Sequence, residues 1–93
     1  MDTKRLKIAR KQIDRLDNKI FNLIKKRTQV VKYMLSLKKF KKQIVDHKRI
    51  KEIIKKINDQ SKKNNVDPKI TTRIWKTMIW SYVDFQKKNF KKK

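Results

Sequence analysis

The chain has 93 residues, no cysteine, no glycine and a single proline, and carries a formal charge of +22. That length allows one small domain, and without glycine for positive-φ turns a sheet built on tight hairpins is excluded in favour of long helices. Disulfides and thiolate metal sites are excluded, and no apolar run reaches the length of a membrane span. The amino terminus has no apolar signal core, so a soluble cytoplasmic protein without membrane association is expected. Lysine outnumbers arginine 24 to 6, with much asparagine and isoleucine. In such a lysine-rich composition most of the charge reads as solvated surface, the cluster Lys38, Lys39, Lys41 and Lys42 and the tail at 90–93 included. The arginines are more informative, because their planar five-donor fork does what lysine cannot.

In chain order, the first segment runs from about Thr3 to about Lys39 without a breaker. Leu6, Ala9, Ile13, Leu16, Ile20, Leu23, Val31 and Met34 recur three or four residues apart, save at position 27, and form a helical seam. Such a helix is a rod of roughly 54 Å. The rest of a 93-residue chain cannot cover it, so part of the seam is expected to meet a second copy. Two cations intrude on the seam. Arg27 occupies the slot between Leu23 and Val31, and Lys38 the slot after Met34. A cation on an apolar stripe is unfavourable unless its head reaches water or meets an anion.

Residues 40–46 read as a connection. A second helix is predicted over about 47–62, with Ile50, Ile53, Ile54 and Ile57 as its stripe, followed by a polar loop from Ser61 to Val66. Asp67-Pro68 is a helix start, the carboxylate capping free N–H groups and the proline suiting the first turn. The third helix, about 68–89, carries Ile70, Ile74, Trp75, Met78, Ile79, Tyr82, Val83 and Phe85. The expected fold is all-α, with three helices in one domain over 1–93 and a homodimer formed through part of the first helix's seam.

Several chemistries are absent from the pattern. His47 is the lone histidine, so neither a histidine metal cluster nor a serine triad is available. Asp14 and Asp17 have Lys11 and Arg15 as helical neighbours and read as ion pairs. No metal and no cofactor are expected. What remains is electrostatic catalysis on an anionic substrate by cations, amides and shape. Arg27 and Lys38, about three turns and 16 Å apart along one helix, share a face and can hold a small polyanion. Arg10 lies roughly 25 Å from Arg27 along the same rod and can join that ligand only from a partner chain.

At these residues the sequence resembles a known family. Ile13-Asp14-Arg15-Leu16-Asp17-Asn18-Lys19-Ile20 and Leu23-Ile24-Lys25-Lys26-Arg27 resemble the first helix of the all-helical (type II) chorismate mutases. The likeness continues through Lys38, Asp46 and Arg49, the Val66-Asp67-Pro68 turn and Gln86. It implies a homodimer with intertwined long helices, and the rearrangement of chorismate to prephenate within the shikimate pathway of aromatic amino acid biosynthesis. Arg10 of one chain and Arg27 of the other would clamp the substrate's two carboxylates. Lys38 and Gln86 would face the breaking ether bond, Arg49 would add positive potential and Asp46 would border the ring hydroxyl.

Two positions depart from the pattern. Ile50 stands where these mutases carry a glutamate, and Tyr82 where they often carry a small hydroxyl residue. Both departures resemble the isochorismate pyruvate lyases, which makes salicylate formation the alternative reaction. A basic helical nucleic-acid-binding protein is the remote alternative. It is disfavoured because it gives no reason for arginine at 10, 27 and 49, and its recognition motifs are absent.

Overall fold

The structure is a computed structural model that describes residues 2–92; Met1 and the last residue of the basic tail, Lys93, lie outside the described residues. Among these the chain is all-α, with three helices in order. The first, α1, spans Thr3–Leu37; α2 spans His47–Lys63 and α3 spans Pro68–Asn89, with a short 3-10 turn at Lys41–Gln43 between α1 and α2. The chain divides into two compact units, one reaching to Tyr33 and one running from Met34 on.

In the first unit α1 continues because nothing in it breaks a helix. It is 35 residues long in all, with Val31 as its buried residue. Its apolar stripe is open: Ile13, Leu16, Ile20 and Leu23 are each at least half exposed.

The second unit begins with the last turn of α1, which stops at Leu37, two residues short of the predicted end. Lys38 is the first residue beyond it, and its N–H donates to Leu35 O at 3.1 Å. The connection is held by Gln43, whose Oε1 accepts from the backbone N–H groups of both Lys39 and Phe40 at 2.8 Å. Ile44 is buried beneath it. Asp46 then caps α2 by accepting from Arg49 N–H at 3.0 Å, which satisfies one of the unpaired donors of the first turn.

The loop predicted from Ser61 to Val66 is shorter than expected, because α2 runs on through Lys63. The helix closes without glycine. Val66 N–H donates to Ser61 O at 2.9 Å and Asn65 N–H to Lys62 O at 3.4 Å, the paired closing bonds of a Schellman turn. Its left-handed residue is Asn65, at φ 56°, asparagine being the residue after glycine that best tolerates this conformation. Asp67 caps α3 through Lys69 N–H at 2.9 Å, with Pro68 in the first turn.

α2 and α3 then pack together, with Ile79 and Val83 buried. A polar bridge crosses the pair where the helices meet: the hydroxyls of Ser61 and Thr71 lie 2.6 Å apart. Ser61 Oγ is also 2.6 Å from Ile57 O, so this buried hydroxyl has partners in both helices.

Candidate active site

The centre of the second unit is a contact between residues 48 positions apart. Lys38 Nζ donates to Gln86 Oε1 at 2.8 Å. Each element contributes to it. The end of α1 leaves Lys38 half-buried at the start of the connection, and α3 holds Gln86 almost wholly buried at 7% exposure. Gln86 Nε2 donates to the backbone carbonyl of Tyr82, one turn earlier, at 3.2 Å. That bond turns the amide so that its oxygen faces the ammonium. Burial pulls the pKa of Lys38 below the ordinary lysine value, because the charged form loses solvent, while the negative charge of Asp46 partly opposes the shift.

The other candidate residues fall in several places. Asp46 acts on Lys38 through its charge and at the same time caps α2. Arg49 follows on the first turn of α2, with its guanidinium mostly exposed and 3.9 Å from Glu52. Tyr82 is half-buried and contributes its backbone carbonyl to the orientation of Gln86. Ile50 points elsewhere. It lines a groove of about 560 Å³ between α2 and α3, together with Ile54, Trp80, Lys51 and Lys76. None of the other candidate residues lines that groove. Arg10 and Arg27 belong to the first unit, where Arg10 is exposed on α1 and Arg27 is half-buried.

Sequence reasoning missed Gln43, which pins the connection carrying Lys38. A signal existed, since a glutamine three residues after the start of a turn can reach back to the N–H groups that precede it. No group of acidic residues and histidine that could hold a metal ion occurs among the described residues. No helix there is long and apolar enough to cross a membrane. What the pair offers a ligand is the partly desolvated ammonium of Lys38, held in place by the Gln86 amide oxygen, which can meet negative charge developing on an oxygen.

The family model for chorismate mutase type II matches residues 9–87, most of the chain. The chain belongs to the type II chorismate mutase family. The matched span takes in Arg10, Arg27, Lys38, Asp46, Arg49, Ile50, Tyr82 and Gln86. As a member of the family it is expected to act on a small molecule. No curated protein and no solved structure gives a significant match.

Proposed function

We propose that the chain is a homodimeric chorismate mutase that converts chorismate to prephenate by electrostatic and conformational stabilisation. The observation that carries this reading is the Lys38–Gln86 pair, placed half-buried at 2.8 Å in a chain of this family. The reaction is a pericyclic rearrangement: one carbon–oxygen bond breaks as one carbon–carbon bond forms, with no proton, nucleophile or cofactor required. The enzyme's work is to hold a compact conformer and to meet the charge that gathers on the ether oxygen. Lys38 supplies the ammonium donor for that oxygen, and Gln86 adds an amide N–H only by turning from its bonds to Lys38 and to the Tyr82 carbonyl. Substrate binding exchanges the Lys38–Gln86 Oε1 contact for one from Lys38 to the ether oxygen.

Arg27 of one chain and Arg10 of the other bind the two carboxylates, in the bidentate geometry that suits guanidinium. Arg49 adds positive potential and Asp46 borders the ring hydroxyl. The open stripe of Ile13, Leu16, Ile20 and Leu23 supports the dimer, since a contiguous exposed apolar face on a helix marks an interaction surface.

A second reading, isochorismate pyruvate lyase, is favoured by Ile50 and Tyr82. In that reaction isochorismate divides into salicylate and pyruvate. Were Ile50 to turn from the α2–α3 groove to the substrate, its apolar side chain would leave a buried hydroxyl without a partner, a loss of about 1–3 kcal/mol.

The test is a side-by-side assay with chorismate and isochorismate, identifying prephenate or salicylate plus pyruvate. Prephenate formation is expected, and inertness toward both substrates refutes the reading. Ile50→Glu is expected to raise mutase turnover relative to lyase turnover. An unchanged ratio removes Ile50 from specificity, as its place in the α2–α3 groove would then explain.

A further inference from the structure

The basic runs of the chain are far apart in sequence and come together in the fold. Lys38-Lys39-Phe40-Lys41-Lys42 forms the connection after α1, and Lys87-Lys88-Asn89-Phe90-Lys91-Lys92 ends α3. The Lys38–Gln86 hydrogen bond ties the first residue of one run to the residue just before the other. Lys39, Lys41 and Lys42 are exposed, as are Lys87, Lys88, Lys91 and Lys92. Neither stretch, 38–45 nor 85–92, contains an acidic residue, although Asp46 and Asp84 border them. By contrast, the lysines on the outer face of α2 are interleaved with Glu52 and Asp59, and Lys55 is paired with Asp59 at 3.3 Å.

Each run also sets a phenylalanine among its lysines. Phe40 is 59% exposed, with Lys42 Nζ 5.6 Å from its ring centre. Phe90 follows the last turn of α3 and is partly exposed.

We propose that this end of the second unit is a docking surface for single-stranded nucleic acid. The lysines meet consecutive phosphates, and the Phe40 ring offers a face on which an unpaired base stacks, the combination that suits sequence-tolerant single-strand binding. An anionic membrane fits less well. Insertion needs a continuous apolar helical face, whereas here Ile44 is buried, and the exposed Leu37 and Phe40 and the partly exposed Phe90 are set apart by lysines, with Phe40 and Phe90 outside the helices. The proposal does not depend on the reaction assigned above.

The experiment uses the full chain and a fluorescent 20-nucleotide oligo(U) RNA, with anisotropy titrations between 50 and 200 mM salt. If the exposed lysines of both runs make phosphate contacts, log affinity falls against log salt with a slope near −5. Changing Lys39, Lys41, Lys42, Lys87 and Lys88 together to Gln should flatten that slope by about 3.5 and weaken binding about 100-fold or more. The matched control changes Lys51, Lys55, Lys56, Lys62 and Lys63 of α2 to Gln, removes the same charge, and should weaken binding less than about threefold. Phe40→Ala should lower affinity about fivefold or more at every salt concentration without altering the slope. Equal losses from the two lysine variants would mean that net charge alone binds RNA, and would overturn the proposal. So would an unchanged affinity in Phe40→Ala, or capture by phosphatidylserine vesicles without capture of the RNA.

Discussion

At the scale of single residues, the decisive group is Lys38. Its ammonium is partly stripped of water and faces an amide oxygen, with the charge of Asp46 opposing the loss of its proton. Where the charged form does the work, kcat/KM falls on the alkaline side as pH rises through the lowered pKa, before an ordinary lysine would titrate. Asp46→Asn retains a side chain that caps α2 but removes the supporting charge. The alkaline limb of the pH–rate profile is therefore expected to move to lower pH in that variant, and a limb that stays put would show that Asp46 does not support Lys38. Stability moves the other way. A lysine whose pKa is lower folded than unfolded penalises the fold while it is charged in both states. That penalty is relieved as pH rises from the folded pKa toward the ordinary value, because the unfolded chain then holds more protons. Denaturant midpoints measured across this range should show the parent gaining stability relative to Lys38→Met as pH rises.

Among the elements, the helices were legible in the residues and their ends were less so. An uninterrupted run with apolar residues every three or four positions predicts α1, and Asp67-Pro68 marks the start of α3 to the residue. The α2 end predicted at about 62 lies one residue short of Lys63. The loop expected from Ser61 begins only after Lys63, although Ser61 has the look of a loop residue. Its hydroxyl is instead absorbed by Ile57 O and Thr71, inside the helix pair. The residue after the helix, Asn65, makes a glycine turn without glycine. Relief of its left-handed conformation should make Asn65→Gly more stable by up to about 1 kcal/mol, whereas Asn65→Val should lose about 1–2 kcal/mol. Urea midpoints at one fixed protein concentration test both, and an unchanged Asn65→Val midpoint would contradict the assigned turn. The pairing of Lys38 with Gln86 had no local signal at all. Periodicity reports which face of a helix a residue occupies, and contact between residues 48 apart depends on how α2 and α3 pack. The family resemblance named both residues, but their hydrogen bond comes from the fold.

For the whole molecule, the proposed dimer makes a sharp prediction because Arg10 and Arg27 of one site come from different chains. Arg10→Ala and Arg27→Ala homodimers should each be folded dimers by sedimentation and nearly inactive. Refolded together in equal amounts, half the dimers are mixed, and each mixed dimer has one site with both arginines. Activity should return to about a quarter of the parent level. No recovery would place both arginines of a site on one chain. Net charge acts at the same scale. A surface carrying +22 draws a dianion toward the protein, an attraction that salt screens over about 10 Å at 0.1 M. Hence kcat/KM is expected to fall about threefold or more between 20 and 300 mM salt, while kcat changes little. A flat profile would leave the charge without influence on substrate capture.

The Lys38–Gln86 bond also bears on how the molecule assembles. Joining two points 48 residues apart on a free chain carries a length-dependent entropic cost of roughly 3.4 kcal/mol. Once α2 and α3 are zipped through their turn, most of that loop has already been closed, and the remaining search is confined to the connection after α1. The latch therefore inherits its ease of closure from the hairpin behind it. Substitutions at Ser61, Asn65 or Thr71, residues that make no hydrogen bond with Lys38 or Gln86, would act on the Lys38–Gln86 bond through the hairpin on which its closure depends.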